Sequence, residues 1–372
     1  MLELTHPVAL QWPPLVHFGI GTLARLGEWV DRRGYARPVV IADPVNAGRV
    51  DHLGLGKVRC FGDVTSEPDT AMLDKALLVA DGADLVIGFG GGSAMDLAKL
   101  VSIMAGQNVS FRDVSGLDRA PVRRIGLAQV PTTAGTGSEV GARALITDPE
   151  THSKIATESI HMLADIAVID PVLTESVPPM VTAATGIDAM AHCIEAYTSK
   201  RAHPIIDTYA LQGIRLAGRY LKRAVEDGAD KQARAALALA ALYGGVCLGP
   251  VNTTAGHAVS YPLGTRHGLA HGIANALMFP HVLAANAPAV PQKTNEICVA
   301  LGFSADDQAE ILSGAAAFCA ALGLDMRLRA HGVPEDDLEV MAKDAHAIRR
   351  LLDWNPVDLS VRDILALYQN AW

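Results

Sequence analysis

The stretch GIDAMAHCIEAY, residues 186–197, places a carboxylate and an imidazole four residues apart, at Asp188 and His192, within an apolar run. On a helix, side chains with this spacing lie one turn apart on the same face, so both could reach one ion. A carboxylate and imidazoles suit a divalent transition metal such as Fe²⁺ or Zn²⁺. The alternative is a buried hydrogen-bonded pair with a purely structural role.

Three more histidines follow in NTTAGHAVSYPLGTRHGLAHGIANA, residues 252–276, at His257, His267 and His271. A lone histidine is usually a hydrogen-bonded core residue. An Asp–His pair followed by further histidines between glycine-rich segments instead favours a metal site. Spacing along the chain does not choose among these three histidines.

A second group of residues could bind phosphate. DLVIGFGGGSAMDLAKL places Gly88, Gly90, Gly91, Gly92 and Ser93 between a predicted buried strand and a predicted helix. Glycine lets the backbone turn sharply and approach a ligand closely, and the free N–H groups of a helix N-terminus attract a pyrophosphate. A tight turn alone would not require three consecutive glycines, so we interpret this segment as a nucleotide-binding loop.

Two other predicted strands end in polar residues. Asp43 follows PVVIA, where its carboxylate could bind ribose hydroxyls and repel a 2′-phosphate, favouring NAD over NADP; a cap or loop aspartate is an equal alternative. PTTAGTGSEVG, residues 131–141, offers Thr132 and Thr133, which suit a dinucleotide but also a plain polar loop. The usual dinucleotide fingerprint follows the first strand, whereas these glycines follow the third predicted strand.

The elements that must position these residues change character along the chain. Short apolar runs alternating with helical patterns predict a parallel sheet with helices on both faces. After Pro178 we find no convincing strand, and five long segments carry helical periodicity. We predict a Rossmann-like α/β domain over residues 1–175 and an all-helical domain over residues 176–372. The predicted strands are 38–44, 57–64, 84–90, 125–131, 142–148 and 164–170, and the helices between them are 70–81 and 93–106.

Composition bounds the possible functions. The 372 residues are half hydrophobic and 19% charged, which suits two packed domains. The net charge of −9, without a clustered Lys/Arg stripe, argues against nucleic acid and anionic membranes as partners. Five scattered cysteines without a CxxC pair, and the lack of a signal-peptide or membrane-span pattern, predict a cytoplasmic protein with reduced thiols.

Together these segments resemble the iron-containing (group III) alcohol dehydrogenase family. The resemblance covers nearly the whole chain, and the block from Asp170 to Tyr197 is its most specific part. It implies a dehydroquinate synthase-like architecture. The segments that occur in the family's order are FGIGTLARL, GFGGGSAMDLAK, PTTAGTGSEV, ADIAVIDPVLTESVPPMVTAATGIDAMAHCIEAYTS, HGIANALMFPHVLAAN and WNPVDLSVRDI.

The resemblance also implies site residues. It selects His257 and His271 over His267, which it leaves as a nearby non-ligand. The implied metal ligands are Asp188, His192, His257 and His271. The implied NAD-binding residues are Asp43, Gly90, Gly91, Gly92, Ser93, Thr132 and Thr133, with Asp96 and Lys154 near the pyrophosphate and ribose.

One position departs from the family pattern. Many members carry a histidine four residues after the third ligand, in a suggested proton relay, whereas this chain has Tyr261. A phenol can relay a proton, but its pKa near 10 makes it a poor base at neutral pH. We assign Tyr261 and His271 as catalytic residues. Arg266 and His267, predicted to lie in a loop, could meet an anionic substrate group, although a solvated loop is the favoured alternative.

The activity implied by the resemblance is hydride transfer between NAD and a small alcohol or aldehyde whose oxygen binds the metal, in a cleft between the domains. The family also suggests a homodimer or a larger homo-oligomer. A dehydroquinate synthase-like lyase, or a hydroxyacid–oxoacid transhydrogenase with tightly held NAD, remains an alternative. A metal- and nucleotide-binding protein without catalysis is a third class.

Overall fold

The computed structural model describes residues 4–148 and 154–372. The chain divides into two compact units. The first comprises Leu10–Ser176, and the second comprises Val177–Trp372 together with the N-terminal residues up to Ala9. Among the described residues, no helix is both long enough and apolar enough to cross a membrane.

The first unit is built on a six-stranded sheet in which every neighbouring pair is parallel. In spatial order its strands are β1 (Val16–Phe18), β9 (Ile166–Ile169), β6 (Gly126–Pro131), β4 (Leu85–Gly90), β2 (Pro38–Ala42) and β3 (Arg59–Phe61). The carboxyl ends of parallel strands meet at one edge, so the segments after β2, β4 and β6 lie side by side. This edge therefore brings together the three predicted nucleotide-binding segments.

A smaller sheet accompanies the parallel one. It consists of β5 (Gly116–Leu117), β8 (Lys154–Glu158) and β7 (Arg143–Thr147), with β7 and β8 antiparallel. The predicted strand at 142–148 forms, but here rather than in the parallel sheet. Neither β8 nor the edge strand β1 was predicted, because β1 has only three residues and β8, KIATE, has no continuous apolar run. The glycine loop therefore follows the fourth strand along the chain, not the third.

Helices cover both faces of the parallel sheet, as predicted. Alternate residues of β2 point to opposite faces: Val39 and Ile41 belong to one core cluster, and Val40 and Ala42 belong to another. Residues of α3 and α4 pack in the first cluster, and residues of α1 pack in the second. The helices of this unit are α1 (Ala24–Arg33), α2 (Pro44–Ala47), α3 (Thr70–Val79), α4 (Gly92–Met104) and α5 (Phe111–Val114).

The second unit has no strand among its described residues, which confirms the predicted all-helical part. Its first helix starts with a proline at the first helical position, where the missing N–H costs nothing. The helices are α6 (Pro179–Thr198), α7 (Pro204–Glu226), α8 (Lys231–Leu248), α9 (Ala255–His267), α10 (His271–Asn286), α11 (Pro291–Leu301), α12 (Gln308–Ala320), α13 (Leu338–Ala347), α14 (Arg349–Leu352) and α15 (Val361–Ala371).

Candidate metal centre and nucleotide loops

Helix α6 presents three chemically active side chains on one face. Asp188, His192 and Glu195 follow one another at spacings of four and three residues, and all three are buried. Gly244 of α8 lets the neighbouring helix pack close behind this face, since a Cβ there would lie 3.1 Å from the His192 Cβ. The polar residues of α6 are therefore enclosed within the helical unit.

Two further helices complete the group. His257 lies in the first turn of α9, and His271 is the first residue of α10. The Asp188 Oδ1 atom lies 3.7 Å from His192 Nε2, 3.5 Å from His257 Nε2 and 3.4 Å from His271 Nε2. The two Nε2 atoms of His192 and His257 are 3.1 Å apart. The structure thus brings all four predicted ligands together.

These distances fit a metal ion. In a tetrahedral site with bonds of about 2.1 Å, the ligand atoms are about 3.4 Å from one another. One carboxylate oxygen and three imidazole nitrogens are also the donors that Zn²⁺ and Fe²⁺ accept. The ligand atoms of Asp188, His192 and His257 all lie within 4.8 Å of one another and are buried, whereas the His271 side chain is 30% exposed.

The electrostatics of the group favour a cation. Burial by itself would raise the pKa of the Asp188 carboxyl, but His192, His271 and His257 hold this pKa far below its usual range. Burial would likewise lower the pKa of His257, yet Glu195 and Asp188 raise it well above the ordinary value. Two buried carboxylates thus create a negative potential that a metal ion would neutralise.

Sequence reasoning missed two residues of this group. Glu195 lies 2.5 Å from the His257 Nδ1 atom, and its spacing of seven residues from Asp188 on one helix was the available signal. Asn275, one turn after His271 on α10, donates its Nδ2–H to Asp188 Oδ1 at 2.7 Å. The same Nδ2 lies 3.2 Å from His257 Nε2 and 3.3 Å from His271 Nε2.

Arg266 and His267 are placed differently from the prediction. They occupy the last turn of α9 rather than a loop, because the helix continues to Gly268, whose left-handed φ of 68° ends it. The Arg266 Nε atom donates to Asp344 Oδ2 at 2.6 Å, and His267 Nε2 lies 3.4 Å from Asp337 Oδ2. Both residues therefore already face carboxylates, which weakens the suggested role in binding an anionic substrate.

Tyr261 lies one turn after His257 on α9 and is half-buried. Its ring centroid is 5.9 Å from that of His271 and 6.3 Å from that of His257. The guanidinium carbon of Arg350 lies 5.8 Å from the centre of the phenol ring. The structure thus places the predicted catalytic tyrosine beside two of the predicted ligands.

The glycine loop is closely packed. Gly90 ends β4, Gly91 is the N-cap of α4, and Gly92 is its first residue. A Cβ on Gly90 would lie 2.8 Å from the Ala94 Cβ, and a Cβ on Gly92 would lie 2.6 Å from the Thr136 Cγ2. Neither position can accept a larger residue without a shift, and the helix N-terminus behind them suits a pyrophosphate.

Asp43 caps a helix. Its Oδ1 accepts hydrogen bonds from the backbone N–H groups of Val45 and Asn46, at 3.0 and 3.1 Å, so it is the N-cap of α2. The Asn46 Nδ2 atom donates to Asp43 Oδ2 at 2.6 Å and to Thr132 Oγ1 at 3.1 Å. The structure thus links Asp43 to Thr132, and the ribose contact stays a prediction.

The other predicted cofactor-binding residues contact neighbouring segments of the chain. The Ser93 hydroxyl donates to the Ser66 carbonyl at 2.7 Å, and the Lys154 Nζ atom lies 2.6 Å from Glu67 Oε2. A Cβ on Gly91 would lie 3.3 Å from Thr133 Oγ1, so Thr133 borders the glycine loop.

Asp96 fastens α4 to the segment after β6. Its Oδ1 accepts from the Ser138 hydroxyl at 2.5 Å, and its Oδ2 accepts from the Leu145 N–H at 2.9 Å. The buried Lys99 Nζ atom, which sequence reasoning did not single out, donates to Ser138 Oγ at 2.7 Å. Both oxygens of Asp96 therefore have structural partners, and its place near a cofactor stays a prediction.

The buried carboxyl of Glu139 should make the free energy of unfolding depend on pH. Burial raises the pKa of its carboxyl from 4.5 to about 7, and a hydrogen bond from its own backbone N–H and the charge of Lys99 lower it only in part. Since the folded pKa exceeds the unfolded one, the folded state binds the proton more tightly, and stability falls as pH rises from about 4.5 to about 7. We expect Glu139→Gln to raise the free energy of unfolding by roughly 2–3 kcal/mol at pH 8 and by little at pH 4.5. Urea denaturation at both pH values measures this, and equal gains at both would contradict the titration.

Comparison with known proteins agrees with this geometry. Residues 13–171 match the family model "Iron-containing alcohol dehydrogenase", and residues 182–372 match "Fe-containing alcohol dehydrogenase family, C-terminal". The chain is 38% identical over 380 residues to long-chain-alcohol dehydrogenase 1 of Geobacillus thermodenitrificans (strain NG80-2). That alignment covers 97% of this chain and 96% of that protein.

Solved structures give the same result. A crystal structure of 1,3-propanediol oxidoreductase is similar with a TM-score of 0.92 and 30% identity, over 99% of this chain and 100% of that one. A sulfoacetaldehyde reductase from Bifidobacterium kashiwanohense, solved in complex with NAD⁺, is similar with a TM-score of 0.89 and 26% identity, over 98% and 99% of the two chains. The chain belongs to the iron-containing alcohol dehydrogenase family, which confirms the resemblance. It is therefore an oxidoreductase that acts on CH–OH groups.

Proposed function

We propose that this chain interconverts a small alcohol and its aldehyde, using NAD and one divalent metal, Fe²⁺ or Zn²⁺. The observation that carries the proposal is the convergence of three imidazole Nε2 atoms on one carboxylate oxygen, Asp188 Oδ1, at 3.4–3.7 Å. The proposed ligands are Asp188, His192, His257 and His271. The relatives named for 1,3-propanediol and sulfoacetaldehyde support a small substrate, and the long-chain-alcohol relative supports only the wider class of alcohols. The NAD⁺ complex of the sulfoacetaldehyde reductase supports the cofactor.

The proposed mechanism divides the work between cofactors and protein. When bound, the metal supplies Lewis acidity toward the substrate oxygen and the nicotinamide supplies hydride exchange. Asp188 provides the one negative charge among the proposed ligands, and together with the three imidazoles it would hold the metal in place. Tyr261 holds or moves a proton at its hydroxyl beside His271. In the α/β unit, the segments after β2, β4 and β6 bind the dinucleotide, with the helix N-terminus at Gly91 and Gly92 facing the pyrophosphate.

The proposal also covers the choice of cofactor, the localisation and the oligomeric state. NAD is proposed ahead of NADP because the Asp43 carboxylate would repel a 2′-phosphate. We also propose a cytoplasmic protein that acts as a homodimer or larger homo-oligomer on small molecules. The net charge of −9 supports this choice over nucleic acid and anionic membranes as partners.

The role of Tyr261 is testable by substitution. We expect Tyr261→Phe to lower kcat by roughly tenfold, because it removes the hydroxyl but keeps the ring under Arg350. Tyr261→His, which restores the residue common in the family, should keep activity and shift the pH–rate profile to lower pH. Steady-state kinetics across pH, with metal content measured in parallel, checks both variants. Unchanged kcat and an unchanged profile in the phenylalanine variant would exclude a proton relay through Tyr261.

The central experiment is metal analysis of anaerobically purified protein, followed by a panel of alcohols and aldehydes with NADH and NADPH. The proposal expects about one divalent metal per chain and metal-dependent change in NADH absorbance at 340 nm. A lyase or a transhydrogenase with retained NAD would show no net NADH, so the same assay separates these alternatives. Full activity after exhaustive chelation would refute the metal proposal.

A further inference from the structure

Glu195 contacts His257 on the side of the ring that faces away from the other proposed ligands. It is buried, and its Oε1 lies 2.5 Å from His257 Nδ1. The other ring nitrogen, Nε2, is the one that faces Asp188 and His192. Glu195 therefore contacts His257 without competing for the position between the proposed ligands.

The carboxylate of Glu195 is itself held rigidly. Its Oε2 accepts hydrogen bonds from the Thr254 N–H at 2.5 Å, the Thr254 hydroxyl at 3.2 Å and the His257 N–H at 3.3 Å. Thr254 is the N-cap of α9 but makes no side-chain cap bond. Glu195, from another helix, thus satisfies the free N–H groups that a capping side chain usually binds.

Gly256 makes this approach possible. A Cβ at this position would lie 2.7 Å from Glu195 Oε1 and 3.0 Å from its Cδ. A side chain one residue before His257 would therefore displace the carboxylate. The missing side chain at Gly256 thus leaves the space in which the Glu195 carboxylate reaches the His257 ring.

We propose that Glu195 is a positioning residue that sets the metal affinity of the centre. By accepting a hydrogen bond from Nδ1–H, it selects the tautomer whose Nε2 lone pair is free for a metal. Because it also holds the first turn of α9, it fixes the direction of the ring. The inference rests on the proposed metal site, and nothing in it depends on which alcohol is the substrate.

The informative variant is Glu195→Gln. A glutamine can keep the cap, because its amide oxygen can accept from the Thr254 and His257 N–H groups. Its NH₂ group then faces Nδ1 and favours the tautomer with hydrogen on Nε2, which opposes metal binding. A purely structural role predicts little change in metal affinity, whereas a positioning role predicts a large loss.

The measurement is the dissociation constant of Zn²⁺, and separately of Co²⁺, by competition with a chromophoric chelator. The full-length protein is first stripped of metal, and neither NAD nor alcohol is added. We expect Glu195→Gln to bind each metal about 10–100-fold more weakly than the wild type. Glu296→Gln is the matched control. Glu296 of α11 accepts a hydrogen bond from the Tyr197 hydroxyl and does not contact a proposed metal ligand. It should change affinity by less than about threefold.

Gly256→Ala provides an independent arm, because it keeps Glu195 and every ligand but fills the space that the carboxylate needs. It should weaken metal binding in the same direction, and NMR of the His257 ring nitrogens should show the altered tautomer in the glutamine variant. Wild-type affinity in Glu195→Gln, or failure of that variant to fold, would overturn the positioning role. Absence of metal binding in the wild type would instead refute the proposed function itself.

Discussion

His271→Ala is expected to lower kcat/KM for alcohol oxidation by at least about 10³-fold and to reduce the bound metal. The variant removes one imidazole whose Nε2 lies 3.4 Å from Asp188 Oδ1. Loss of a Lewis acid removes several kcal/mol of transition-state stabilisation, and each 1.4 kcal/mol is about tenfold in rate. The measurements are steady-state kinetics with NAD⁺ and metal content after anaerobic purification.

His267→Ala is the matched control for this prediction. His267 lies four residues earlier in the chain, at the end of α9, and faces Asp337. Its replacement should leave metal content and kcat/KM within about threefold of the wild type, since its Nε2 lies beside Asp337 and not beside Asp188. Near-normal activity in His271→Ala, or an equal loss in both variants, would contradict the assignment of His271 as a ligand.

The second large effect is expected in cofactor preference. Asp43→Ser should raise the ratio of kcat/KM for NADPH to that for NADH by roughly 30–100-fold. The substitution removes the carboxylate that we propose repels a 2′-phosphate, and such a repulsion at close range amounts to about 2–3 kcal/mol. Serine remains a good N-cap, so α2 should keep its first turn. Kinetics with both reduced cofactors and one aldehyde measure the ratio.

Asp69→Ser controls for the loss of a capping aspartate. Asp69 is the N-cap of α3 in the same unit, where its Oδ1 accepts from the Met72 N–H at 2.7 Å. This variant should leave the cofactor ratio unchanged. If Asp43→Ser also leaves the ratio unchanged, Asp43 acts only as a helix cap and the choice of NAD over NADP must lie elsewhere.

Most of the fold could be predicted from the chain alone, and the residues show why. The runs that became β2, β4 and β6 are apolar and almost wholly buried, and each is followed directly by a turn or polar residue: Asp43, Gly91 or Thr132. Such a pattern can be read from neighbours in sequence. The exceptions are short or carry no clear period. The edge strand β1 has three residues, and α9 contains Pro262 and two glycines, so its helical character was missed.

The residues of the candidate site also differ in how far the sequence alone could predict them. Asp188 and His192 could be paired from their spacing because one helix holds both. The resemblance, not the spacing, selected His257 and His271 over His267. For Asp43 the sequence left two roles open, a ribose contact and a helix cap, and the structure shows the cap.

By itself, the sequence determined what depends on local order: an α/β part followed by a helical part, a glycine turn at a strand end, and an acid and an imidazole on one helical face. Only the tertiary structure decided which distant groups meet. His271 faces Asp188 and His267 faces Asp337, and Glu195 and Asn275 contact the proposed ligands. The reason is physical: these contacts depend on how α6, α9 and α10 pack, and the direction of a side chain across a helix interface is not encoded by its neighbours in sequence.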